Sequence, residues 1–113
     1  MSKYRNVRTT IDGETFDSKL EAQRYQELKL LEKAGEVRDI QRQVVFPLMV
    51  GETRVAKYVA DFVYLEHVEY ERWQVVREDV KSEPTRKKES YRIKFRWMAA
   101  LGTPIREYVR TRR

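Results

Sequence analysis

The chain has no cysteine and a single histidine, His67. The first absence excludes disulfides, zinc ribbons and thiol nucleophiles and fits a reducing compartment. One histidine cannot build a histidine-based centre or a zinc site, which need several ligands; His67, in a polar stretch, reads as an exposed loop residue. Nowhere do about 18 consecutive apolar residues occur that could span a bilayer. The charged, polar run from Ser2 to Thr10 holds no apolar core of signal-peptide length. A cytoplasmic protein with no membrane partner is the expectation. Only 4 glycines and 3 prolines punctuate the 113 residues, and no repeat, long linker or low-complexity tract is visible. That length suits one hydrophobic core, so residues 1–113 read as a single domain in which any site must share the core.

What is abundant is positive charge: 24 Lys and Arg against 18 Asp and Glu, a net +6. The excess gathers at Lys3 to Arg8, Arg86 to Lys88, Arg92 to Arg96 and Arg110 to Arg113. Such clustering points to a polyanionic partner, nucleic acid ahead of a membrane surface.

Residues 1–15 form a basic N-terminal arm or hairpin, with Asp12-Gly13 as a tight turn. Ser18-Lys19-Leu20-Glu21 has the spacing of a capping box and Gly35 supplies a stop, which predicts a helix from about Lys19 to Ala34. Its inward face is expected to carry Leu20, Arg24, Leu28, Leu31 and Ala34, with Glu21 between Leu28 and Tyr25. Three strands follow: Gln43 to Val50, where Pro47 suggests an edge or a bulge, then Arg54 to Leu65, then Trp73 to Lys81. The charged stretch Glu66 to Arg72 reads as an exposed hairpin loop and residues 82–89 as a basic loop. A second helix is expected over Ser90 to Leu101, with Ile93, Trp97, Ala100 and Leu101 as its core set, then a strand from Ile105 to Val109 and a basic tail over 110–113. Leu30, Val50 and Met98 are left outward. The order is helix, three antiparallel strands, helix, strand, an α+β domain.

Two of these strands contain aspartates, which are depleted in strand interiors because an unpaired carboxylate is costly to bury. Asp61 lies in Tyr58-Val59-Ala60-Asp61-Phe62, and Asp79 precedes Lys81 in Glu78-Asp79-Val80-Lys81. Alternation along a strand presents Asp79 and Lys81 together. If the two strands pair, Asp61 approaches Asp79, and converging carboxylates repel unless a cation lies between them. Hard oxygen ligands suit Mg²⁺ or Mn²⁺. Such an ion binds a phosphate oxygen and acidifies a bound water, and a neighbouring lysine positions that water or stabilises charge on the phosphate. Glu21 is the candidate third acid, although a glutamate at the third position of a capping box also has a helix N–H to satisfy.

The order of elements together with Asp61 and Asp79-Val80-Lys81 resembles the PD-(D/E)XK nuclease superfamily. More narrowly, Phe16-Asp17-Ser18-Lys19-Leu20-Glu21-Ala22, Gln43, Tyr58 to Phe62 and Glu78 to Lys81 resemble a family of short phage and prophage proteins. That family is catalogued as a domain of unknown function (DUF1064-like) and placed near the Holliday junction resolvases. The resemblance runs from about Lys3 to Val109. It implies a restriction-endonuclease-like αβββαβ core, with a mixed central sheet flanked by two helices. It also implies a Mg²⁺- or Mn²⁺-dependent DNA endonuclease acting on branched DNA, working as a homodimer in recombination inside a bacterial host cell. Asp61, Asp79 and Glu21 would ligate the metal, and Lys81 would assist the attacking water. Ala60 stands where the superfamily's name-giving proline would be, and Ser82 where the narrower family has glycine after the lysine. Lys3, Arg5, Arg8, Arg86, Lys87, Lys88, Lys94 and the tail are the candidate DNA contacts. The competing expectation is a non-catalytic DNA-binding accessory module on the same fold.

Overall fold

The computed structural model describes residues 9–11, 13–16, 18–81 and 86–109. Most of the basic arm, including Lys3, Arg5 and Arg8, the segment 82–85 and the tail 110–113 lie outside the described residues. A short hairpin, β1 (Thr9–Ile11) and β2 (Glu14–Phe16), comes first, paired antiparallel with Thr9 opposite Phe16. It is followed by α1 (Lys19–Lys33), β3 (Val37–Val50), β4 (Thr53–Glu69), β5 (Arg72–Val80), α2 (Glu89–Ala100) and β6 (Arg106–Tyr108). The larger sheet runs β3-β4-β5-β6; the first three strands are antiparallel neighbours, and β6 pairs parallel to β5. The described residues thus form an α+β fold with a mixed four-stranded sheet and two helices. None of the described helices is long and apolar enough to cross a membrane.

Local chemistry fixes the helix ends. The Ser18 hydroxyl accepts the Glu21 N–H at 3.1 Å, closing the first turn of α1. At the other end Gly35, at φ +80°, lets Glu36 N–H reach the Leu31 carbonyl at 2.9 Å while its own N–H bonds Glu32 at 3.1 Å. This is a Schellman turn, and α2 ends the same way: Thr103 N–H reaches the Met98 carbonyl and Gly102 N–H that of Ala99, each at 3.0 Å.

β4 carries the core. Its alternating Tyr58, Ala60, Phe62 and Tyr64 are all buried, but they divide between two clusters. Phe62 and Tyr64 pack with Ala22, Tyr25 and Leu28 of α1, and with Phe16, Val37 and Val76. Tyr58 and Ala60 pack with Leu48, with Met98 of α2 and with Ile105. Asp61 sits at the changeover. β3 is an edge strand, in keeping with Pro47, and its register slips beside that residue between Leu48 and Met49.

Four expectations are corrected. Glu66 to Arg72 is not a loop, since β4 continues to Glu69 and β5 resumes at Arg72. Its charges are accommodated by cross-strand partners, with Gln74 donating to Glu66 at 2.7 Å and Arg106 bonding the same carboxylate at 2.8 Å. His67 consequently lies in a strand, edge-on to Trp73. The buried face of α1 is Glu21, Tyr25 and Leu28, with Leu31 exposed. In α2 the sequence offers two stripes at helical spacing, and the one that turns inward is Tyr91, Phe95 and Met98, joined by Trp97. Ile93 and Leu101 are more than half exposed, and Met98, expected outside, is fully buried. The inward stripe meets Leu48, Tyr58, Ala60 and Ile105, and this apolar surface beneath the helix fixes its rotation.

Candidate active site

β4 and β5 are regularly paired as far as Phe62 and Glu78. Beyond that pair, side chains take over from the ladder. Val80 N–H donates to Asp61 Oδ2 at 2.9 Å, and Asp61 N–H donates to Asp79 Oδ1, also at 2.9 Å. The two aspartates therefore lie within the seam between the strands, each holding the other's strand, which explains residues of low strand propensity at these positions. One oxygen of each carboxylate remains: Asp79 Oδ2 accepts from the Tyr58 hydroxyl and lies 3.7 Å from Lys81 Nζ, and Asp61 Oδ1 faces Gln43.

Gln43 was the least explained residue of the sequence motifs. Arg42 pairs with Phe62 and Val44 with Ala60, which sets Gln43 across from Asp61. Its backbone is at φ +52°, a conformation costing an L-residue roughly 1–2 kcal/mol. In that conformation its amide Nε2 donates to Glu21 Oε1 at 2.8 Å and to Asp61 Oδ1 at 3.3 Å. Glu21 is buried, and Arg42 approaches it at 3.8 Å. The helix acid is thus linked to the aspartates through a shared amide. Among the described residues no three acids or histidines form a group able to hold a metal by themselves.

Burial raises the carboxyl pKa of both aspartates above the ordinary range. For Asp61 the Val80 N–H, Lys81 and Gln43 oppose this, and for Asp79 Lys81 and the Asp61 N–H do. Two desolvated carboxylates in one seam favour a proton or a cation. The donor set fits Mg²⁺ or Mn²⁺ in kind, because Mg²⁺ keeps several waters and is held through one or two carboxylates together with substrate oxygens.

A cleft of about 340 Å³ opens beside this seam, lined by Asp79, Lys57, Lys81, Lys88, Tyr91 and Lys94, among others. Lys88 and Lys94, expected as DNA contacts, line the same cleft as Asp79. Arg86 and Lys87 instead line a different cleft on the far side of Tyr91. Lys57 was overlooked, although it falls on the same alternation as Asp61.

Glu107 was also missed. It pairs with Asp79 across the β5–β6 ladder and accepts from the Tyr91 hydroxyl at 2.7 Å; its charge adds to the upward shift of Asp79. On the α1 side, Glu78 is fully buried and held by Arg24 through Nε and a terminal nitrogen at 2.8 and 2.9 Å, with the Tyr64 hydroxyl donating at 2.7 Å. This ion pair joins the turn of α1 that carries Glu21 to the strand residue preceding Asp79. A buried glutamate beside a metal-site candidate has no distinctive sequence signal; only its alternation with Val76 and Val80 pointed inward.

The profile of a family described as "Protein of unknown function (DUF1064)" matches residues 1–102. No curated protein and no solved structure matches the chain significantly.

Proposed function

We propose that this chain, which belongs to the DUF1064 family of proteins of unknown function, is a divalent-metal-dependent endodeoxyribonuclease of PD-(D/E)XK type, acting on branched DNA. The family description carries no activity, so the reading rests on the site. The observation that carries it is the seam itself: Asp61 and Asp79 desolvated side by side, with Lys81 at 3.7 Å from Asp79 and a lysine-lined cleft opening onto Asp79. A module that only bound DNA would gain nothing from two carboxylates facing a phosphate chain.

In this reading Asp61 and Asp79 hold Mg²⁺ or Mn²⁺, and Glu21 contributes through Gln43. The ion, when bound, supplies charge neutralisation at the phosphate and a more acidic water. Lys81 orients the attacking water and offers its proton-bearing nitrogen to charge developing on the phosphate. Tyr58 and the two backbone N–H groups fix the carboxylates before substrate arrives, and Lys57, Lys88 and Lys94 hold the neighbouring phosphates. A restriction-endonuclease-like ancestry and a symmetric homodimer making paired cuts in a junction complete the proposal.

The test is cleavage of labelled four-way junctions, flaps, nicked duplex and linear duplex with Mg²⁺, Mn²⁺ or EDTA. Metal-dependent cutting that is lost in Asp79→Asn while DNA binding is retained supports the reading; no cutting of any substrate overturns it. The second reading, a non-catalytic DNA-binding accessory module, is favoured by one observation, that among the described residues Glu21 does not complete a three-acid group. It predicts metal-independent binding without cuts.

A further inference from the structure

Tyr91 divides two clefts. On one side is the Lys81 cleft just described; on the other is a cleft of about 430 Å³ bordered by Arg86, Lys87, Arg92 and Arg96, with Tyr91 and Phe95 among its lining residues. The two rings, partly buried against the core cluster around Met98 yet bordering the cleft, stand 6.0 Å apart, tilted 41° to each other. Among the described residues Glu107 is the one acid lining this cleft, and it is engaged by the Tyr91 hydroxyl at 2.7 Å and by Arg86 at 3.4 Å. Lys87, Arg92 and Arg96 are exposed.

This placement of cations works against the helix that carries it. Lys88, Arg92 and Arg96 follow one another at four-residue spacing, where like charges repel. Two of them lie at the cap and in the first turns of α2, where the helix dipole disfavours positive charge. A chain of anions along that ridge removes both penalties. Duplex DNA presents phosphates but keeps its bases stacked, so it leaves an aromatic wall unused; a single strand presents both phosphates and ring faces. Because Tyr91 belongs to both clefts, strands entering them part at this residue, as strands do at a branch or flap.

We propose that the Phe95 cleft is a second nucleic-acid subsite. It takes a single-stranded phosphodiester chain, with phosphates on Arg92 and Arg96 and a base against Phe95, while the strand to be cut lies in the Lys81 cleft. The inference rests on the nucleic-acid reading of that first cleft and deepens it by naming the substrate as duplex with a single-stranded arm.

The test is fluorescence anisotropy of the full chain in EDTA with short labelled oligo(dT), blunt duplex, and duplex bearing a single-stranded arm, over a range of salt. Wild type is expected to bind the armed duplex at least about fivefold more tightly than blunt duplex, as one stacked base alone provides. The double variant Arg92→Ala, Arg96→Ala is expected to lose that preference. Its salt slope on oligo(dT) should fall by about 1.4, roughly 0.7 per single-strand phosphate released, with blunt-duplex binding unchanged. Phe95→Leu is expected to weaken oligo(dT) binding by about 5- to 150-fold with the salt slope preserved; its thermal midpoint, measured alongside, separates this from unfolding. Equal loss on blunt and armed duplex, or no change in the double variant, overturns the inference. If wild type still cuts DNA in those cases, the nuclease reading stands alone; if wild type neither binds nor cuts any DNA, both fall.

Discussion

Replacing Arg24 with leucine isolates the charge on which the α1 side of the site is built. Arg24 is 12% exposed and Glu78 0%, and the pair is bidentate at 2.8 and 2.9 Å, so neither charge is solvated well enough to stand alone. Burial by itself disfavours the guanidinium charge, yet Glu78, with Tyr64 and Glu27 adding to it, more than offsets this and raises the Arg24 pKa. Arg24→Leu leaves the Glu78 carboxylate in the core with the Tyr64 hydroxyl as its remaining donor. Breaking one side of a buried pair costs about 3–5 kcal/mol. The stacking of Arg24 over the Tyr108 ring, 4.2 Å away, is lost as well. For a domain of this size the expected fall in thermal midpoint is roughly 12–20 °C, at about 4 °C per kcal/mol. Arg24→Leu combined with Glu78→Leu should recover most of that loss, because the apolar pair removes both desolvation costs. Urea unfolding of wild type, both single variants and the double variant measures the cycle. A loss under about 1 kcal/mol in Arg24→Leu, the value of a solvated surface pair, would mean that Glu78 does not depend on Arg24 for its charge.

Asp79→Asn should stabilise the protein at neutral pH. Burial raises the Asp79 pKa in the folded state, so the carboxyl's favourable contribution is present below its unfolded value near 3.9 and is lost as pH rises through the folded value. The variant's gain in urea midpoint should therefore be present at pH 7 and vanish near pH 3; a constant difference at both would contradict the shift. Gln43→Ala separates Glu21 from Asp61, and calorimetric Mn²⁺ affinity should fall about 10–100-fold, as for other residues that orient ligands. Unchanged affinity removes Gln43 from the site. Ser18→Ala deletes the 3.1 Å cap of α1 and should cost about 1 kcal/mol in thermal unfolding; no loss would mean the cap adds nothing to stability.

The elements were legible wherever the sequence punctuates them. Ser18, Gly35 and Gly102 mark helix ends by capping chemistry, and the β4 alternation Tyr58, Ala60, Phe62, Tyr64 separates the core side from Asp61. Strand length was less legible at Glu66 to Arg72, because charged residues there are stabilised by partners distant in sequence, such as Arg106. Helix rotation was ambiguous for the same reason: α2 offers two apolar stripes, and only the surface beneath it selects Met98 over Ile93. In the site, alternation brought Asp79 and Lys81 together as expected. The roles of Gln43, Glu78 and Glu107 depend on strand register and on a positive φ, which local spacing does not encode.

Whether Asp61 and Asp79 frame a divalent-cation site is read from Mn²⁺ binding, followed by electron paramagnetic resonance at pH 7. Wild type is expected to bind Mn²⁺ saturably, with binding competed by Mg²⁺ and lost in both Asp61→Asn and Asp79→Asn. Wild type binding no more Mn²⁺ than either variant would mean that the two aspartates do not form a cation site.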